Sequence, residues 1–112
     1  VVCLFCKIVA GEIPSDKVLE TSDALAFRDI NPAAPTHVLV IPKRHVASVH
    51  ELTTADGDEL AGVFDVVRRV AEQEGVAEGY RVVTNRGEKA GQSVFHLHFH
   101  VLGGRLLEWP PG

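Results

Sequence analysis

Two rhythms of apolar residues stand out along the chain. Thr36-His37-Val38-Leu39-Val40-Ile41 is β-branched and apolar almost throughout and stops at Pro42, which predicts a buried strand. Further on, Thr53 with Asp56 three residues later is a helix-start signal. Leu60, Val63, Phe64, Val67, Val70 and Ala71 then recur at helical spacing up to Gly75. This spacing predicts the longest helix, with one face packed on a sheet.

The remaining elements are shorter. A helical turn around residues 5–10 ends at Gly11, and Ile13-Pro14 forces extended chain. Residues 18–21 and 24–28 flank Ser22-Asp23, a polar pair suited to a hairpin turn, and Asn31-Pro32-Ala33-Ala34-Pro35 is a rigid connector. A strand over 80–85 leads into the glycine-bearing loop Gly87-Glu88-Lys89-Ala90-Gly91-Gln92-Ser93, and a last strand is expected over 95–102. Strands in sequence-neighbouring pairs plus one long helix point to an α+β fold on an antiparallel sheet. The tail ends in Trp109-Pro110-Pro111-Gly112, too proline-rich for regular structure.

Composition bounds what such a chain can be. Its 112 residues fit one domain, 1–112, and 46% hydrophobic against 23% charged residues is enough apolar surface for a folded core. The net charge of −4, with no basic patch, argues against holding long nucleic acid by phosphate neutralisation. A small phosphorylated ligand stays open, since a few local donors can hold it. Charges and prolines interrupt every apolar segment short of a membrane span, and the start lacks the flanks of a secretory signal. With no Met at position 1, we expect the first residues to be missing or processed. Two cysteines spaced C-x-x-C read as a metal or redox pair in a reducing compartment, so a cytoplasmic location is expected.

The histidines change the picture most. Of six, three fall at His96, His98 and His100, alternating with Leu97, Phe99 and Val101. On a strand such alternation places three imidazoles on one face, about 7 Å apart, with the apolar residues on the core side. Three readings are open: a solvated strand face, a three-histidine catalytic metal site, and a phosphoryl or nucleotidyl transfer site in which one histidine attacks phosphorus. The preceding Gly91 and Ser93 favour the third, because a glycine-bearing loop can turn backbone N–H groups toward a phosphate.

His96-Leu97-His98-Phe99-His100-Val101-Leu102 resembles the signature of the histidine-triad family. Ile41-Pro42-Lys43-Arg44-His45, Gly91-Gln92-Ser93, Gly103-Gly104-Arg105 and the closing Trp-Pro-Pro-Gly look like its nucleotide-binding, phosphoramidase branch. That resemblance implies a five-stranded antiparallel sheet with one long and one or more short helices, joined into a homodimer with a continuous sheet. It implies hydrolysis of purine nucleoside phosphoramidates through a covalent nucleotidyl-His98, releasing AMP or GMP and an amine without a catalytic metal. His98 would donate its second ring proton to a backbone carbonyl, His100 would bond phosphate oxygens, and Ser93 and Asn85 would donate to the oxygens or the leaving amine. Gly91 belongs to the same phosphate-facing loop.

By the same resemblance Asp29 accepts the ribose hydroxyls, Phe27, Ile30, Leu4 and Phe5 form the slot for the base, and Trp109 on the tail approaches the other subunit's site. Read from their neighbours alone, Asp29 and Asn85 could equally start turns. Relatives that carry a C-x-x-C use it for structural zinc, which here would be held by Cys3, Cys6, His45 and His96; free thiols are the alternative. His37 and His50 receive no task. Other readings are hydrolysis of dinucleoside polyphosphates or adenylyl sulfate by the same nucleophile, and a non-catalytic regulator that binds purine nucleotides.

Overall fold

The computed structural model describes residues 3–112. Helix α1 covers Leu4–Val9, followed by strands β1 (Lys17–Glu20), β2 (Ala24–Arg28) and β3 (Thr36–Pro42), helix α2 (Gly57–Gln73), and strands β4 (Tyr80–Val83) and β5 (Phe99–Gly103). The five strands form one antiparallel sheet in the order β1-β2-β3-β5-β4. The α+β architecture with one long helix is the one the periodicities predicted.

The apolar run of β3 reflects burial on both faces. Val38 and Val40 join Ala24 and Ala26 of β2 against Val63, Val66, Val67 and Val70 of α2, while Leu39 and Ile41 join Leu25, Phe27, Phe5 and Ile8 on the opposite face. Alternate side chains of a strand point to opposite faces, so a strand covered twice loses its polar positions. The alanines of β2 lie on the α2 side, where the helix comes close: a Cβ on Gly62 would stand 2.5 Å from the Asp23 carboxylate.

The start of the long helix differs from the single run expected. Thr53 and Asp56 do form a capping box, but it caps a 3-10 turn, Thr54–Asp56, and the α-helix proper begins at Gly57. Val66 belongs to the buried face as well, whereas Phe64 is partly exposed, its ring 5.0 Å from that of Phe99. Gly75, at φ 73°, ends the helix as expected.

Strand β4 stops at Val83 rather than residue 85. The larger correction concerns the last strand, which begins at Phe99, not residue 95. Residues 94–96 bend before pairing starts. The reason is local: the Leu97 N–H donates to the Val46 carbonyl at 2.6 Å, and the loop ahead of it is tied to Ala47. Both anchors lie on the chain leaving β3, outside the ladder that would have continued the strand.

Candidate active site and metal centre

The three alternating histidines share the face opposite Leu97, Phe99 and Val101, which pack in the α2-side core; the Phe5 ring lies 6.0 Å from His96 and 5.2 Å from His98. His96 is fully buried beside Cys3, Cys6 and His45, while His98 and His100 line a cleft of about 500 Å³ together with Ser93 and Asp29. The expected row of imidazoles is divided by its surroundings, one ring lying with the two thiols and two lining the cleft. Phe5, Leu4, Phe27 and Ile30 line the same cleft; Phe27 is also core, and Ile30 stands at the rim, 92% exposed. Asn85, Gly91 and Trp109 are not among the residues lining it. Asn85 sits beside Gly91, its Nδ2 4.0 Å from where a Cβ on that glycine would be, and Trp109 is 81% exposed on the tail.

Hydrogen bonds in the cleft define which ring nitrogens carry protons. His98 Nδ1 lies 2.7 Å from the His96 carbonyl, which only accepts, so Nδ1 donates and the neutral ring keeps a free lone pair on Nε2. The Thr84 hydroxyl donates to the His98 carbonyl at 2.9 Å, and the Phe5 ring packs edge-on against the imidazole at 5.2 Å. Backbone and ring of His98 are thus held independently.

His37, which sequence reasoning left without a task, completes the arrangement. The Ala33 N–H donates to His37 Nδ1 at 2.9 Å, so the neutral His37 ring carries its proton on Nε2 and donates it to His100 Nδ1, 2.9 Å away. The neutral His100 is left with its proton on Nε2. The rings of His98 and His100, 5.1 Å apart, therefore expose opposite functions: a lone pair on one and an N–H on the other.

Burial keeps this pair of donors uncharged. Desolvation pulls His37 below the usual histidine range, only partly offset by Asp29. His100 is lowered to about 4, first by desolvation and then by the neighbouring His98 and His37. Asp29 serves two ends. One carboxylate oxygen accepts the Asn31 N–H at 2.8 Å, the turn its neighbours suggested, and the other lies 3.4 Å from His37 Nε2. The signal that could have found His37 is its place in β3 directly opposite β5, where its neighbours Val38 and Leu39 pair with Val101 and His100. That relation exists only once strand order is known.

The second cluster has the chemistry of a metal centre. Cys3 caps α1 by accepting the Cys6 N–H at 3.2 Å, so the C-x-x-C turn brings both thiols to one side. His96 Nδ1 stands 3.4 Å from Cys3 Sγ and 3.5 Å from Cys6 Sγ, and His45 Nδ1 is 3.3 Å from Cys6 Sγ. Tetrahedral zinc with two sulfur and two nitrogen ligands needs ligand separations of about 3.5 Å, so the donor set fits. His96 Nε2 donates to the Pro42 carbonyl at 2.8 Å, which directs the Nδ1 lone pair at the thiols, as an outer hydrogen bond does for a ligating imidazole. The Cys6 thiol is pushed up to about 11, first by desolvation and then by the hydrogen bond and charge of Cys3. A divalent cation between the sulfurs would reverse that cost by stabilising both thiolates.

Comparison with known proteins agrees with this architecture. The HIT domain family model matches residues 10–107. A HIT-like protein of Synechococcus elongatus is 50% identical over 109 residues, covering 97% of this chain and 96% of its own. The crystal structure of a HIT family hydrolase from Legionella pneumophila superposes with a TM-score of 0.96 at 49% identity, over 99% of this chain and 100% of that one. A histidine triad nucleotide-binding protein from Candida albicans gives a TM-score of 0.83 at 38% identity, over 97% and 83% of the two chains. With its sheet order, its alternating histidines and matches along nearly the whole length, the chain belongs to the HIT domain family.

Proposed function

We propose that the protein hydrolyses purine nucleoside phosphoramidates by nucleotidyl transfer to His98. The observation that carries this reading is the opposed protonation of His98 and His100. A lone pair and an N–H donor face one cleft from adjacent rings, which is what in-line attack on a phosphorus with stabilisation of its oxygens requires. The apolar slot of Phe5, Phe27 and Leu4, with Asp29 at its edge, suits a base followed by a ribose diol. The Candida relative is named for nucleotide binding and the Legionella one as a hydrolase.

In the first step His98 Nε2 forms a bond to the α-phosphorus as the P–N bond breaks. The His100 N–H and the Ser93 hydroxyl donate to the phosphoryl oxygens, and the departing amine takes a proton from solvent. Water then attacks the nucleotidyl-His98, returns the electron pair to Nε2, and releases the nucleoside monophosphate with loss of one water proton. Asn85, beside Gly91 in the loop that carries Ser93, would donate to the oxygens or the departing amine. A zinc ion held by Cys3, Cys6, His45 and His96 would be structural: it would brace the residue whose carbonyl orients His98. We further propose a cytoplasmic homodimer in which Trp109 approaches the partner's cleft. The exposure of Trp109 supports this, as does the free edge of β4 beside the exposed Tyr80. No helix among the described residues is long and apolar enough to cross a membrane.

Rapid quenching of the protein with adenosine 5′-phosphoramidate, followed by intact-mass analysis, tests the reading. An adenylyl adduct on His98, absent in His98→Ala, is expected. Removing a covalent nucleophile should lower turnover by roughly a thousandfold or more. Turnover with no adduct, or near-normal turnover in His98→Ala, would exclude the mechanism.

A further inference from the structure

Gln92 is a buried carboxamide, 4% exposed, and none of the roles described so far involves it. Its Oε1 accepts the Gly87 N–H at 2.8 Å, while Nε2 donates to the Ala47 carbonyl at 2.8 Å and to the Val94 carbonyl at 3.1 Å. Its backbone N–H also donates to the Gly87 carbonyl at 3.0 Å. The partners dictate the orientation of the amide, since only an NH2 can meet two carbonyls and only an oxygen can meet an N–H. Both side-chain donors are thereby used, and neither remains to contact a substrate. Whatever Gln92 does for the cleft it does by holding backbone.

What it holds is the loop between β4 and β5. Gly87 and Gly91 bend this loop at φ 87° and 96°, conformations that glycine adopts readily and that fix little by themselves. The tie to Val94 closes the chain around Ser93. The tie to Ala47 anchors that closed turn to the stretch leaving β3, which receives the Leu97 N–H one residue earlier, at Val46. Ser93 therefore follows one anchor and His98 follows the other, with both anchors on adjacent residues of the same segment. Their separation is determined by Gln92 at one end and the Leu97 bond at the other.

We propose that Gln92 is a positioning residue for the nucleotidyl transfer, setting Ser93 against the His98 nucleophile through its three backbone partners. This rests on the function proposed above. Of the tied residues only Val94 lines the cleft, and it is held through its carbonyl; Asp29 and the slot residues Leu4, Phe5 and Phe27 lie on α1 and at the end of β2, so the effect belongs chiefly to the chemical step. Displacement of a positioned group by about 1 Å can cost up to a hundredfold in rate.

Gln92→Met, close in volume but without hydrogen bonds, tests this against Val66→Ala, which weakens the other core and leaves the loop alone. We expect Gln92→Met to lower kcat and the rate of adduct formation about 30-fold, with KM for adenosine 5′-phosphoramidate within roughly threefold of native. Amide exchange at Gly87 and at residue 92 should accelerate while α2 stays protected, and Val66→Ala should show neither change. Should Gln92→Met not fold, Gln92→Asn, too short by one methylene to reach Ala47, is expected to show the same split. A kcat within threefold of native, or a loss that Val66→Ala reproduces, overturns the proposal. If native protein forms no adduct at all, the functional reading fails and takes this role with it, whereas a native adduct with an unaffected variant overturns the role of Gln92 alone.

Discussion

Two clusters of imidazoles lie close together in the fold, and by distance alone either could hold a metal. Cys3, Cys6, His45 and His96 form one; Asp29, His37 and His100 form the other, each with ligand atoms within 4.8 Å of one another. Hydrogen bonding separates them. In the first, His96 directs a proton at the Pro42 carbonyl and a lone pair at the thiols. In the second, the Ala33 N–H occupies the lone pair of His37 Nδ1, so the nitrogen facing His100 and Asp29 carries a proton and is a donor. Proximity of ligand-type residues is thus a weak criterion. The backbone group behind each ring decides whether the ring offers a lone pair or a proton.

Loss of the thiols would test that difference most severely. Protein purified without a nickel column should carry about one zinc, and Cys6→Ser should reduce this below about a tenth of an equivalent. The same substitution should lower the thermal midpoint by several degrees, roughly 2–4 kcal/mol for a site loaded well above its dissociation constant. His37→Gln and His100→Gln should keep the metal. Native protein containing less than about a tenth of an equivalent would remove the distinction between the clusters.

Next in size is the donor chain. His37→Ala should slow turnover roughly 10- to 100-fold with zinc content unchanged, because His100 loses the partner that sets its tautomer. His37→Gln, whose carboxamide can both accept from Ala33 and donate to His100, should retain more activity. Equal rates for native and His37→Ala would show that the chain has no part in the chemistry.

The smallest effect is on acid stability. His100, lowered to about 4 in the fold, takes up a proton near the ordinary value of 6.5 once unfolded. Its contribution is therefore complete above pH 6.5 and is lost as pH falls toward 4, a direction His37 shares. Urea midpoints measured between about pH 7 and 5.5, above most of the carboxylate titration, should fall for native protein and fall less for His100→Gln. Parallel curves would mean that His100 is not held neutral by the fold.

Much of the architecture was legible because it rests on patterns with a fixed period. The buried β3, the hairpin at Ser22-Asp23 and the apolar face of α2 each follow from side-chain spacing. The last strand misled, since alternation of polar and apolar residues is necessary for a strand but does not show where pairing begins. Leu97 keeps an inward apolar position while its N–H bonds to Val46 outside the ladder, so the alternation at 96–98 survives without a strand. Asp29 was ambiguous between turn and ligand because it does one of these with each oxygen or its neighbourhood: the turn at Asn31, the cleft at His37.

By itself the sequence determined which residue types were available: alternating histidines, a C-x-x-C pair, a glycine-bearing loop and strands of sufficient apolar length. Local spacing controls what lies within a turn or along one strand. It also carried the resemblance to the histidine-triad family, which the family match bears out. Only the tertiary structure decided what each imidazole does, because the groups that set their protons come from elsewhere in the chain. The carbonyl of Pro42 directs His96, and the N–H of Ala33 acts on His100 through His37. A ring nitrogen is donor or acceptor according to its nearest partner, and strand order chooses that partner.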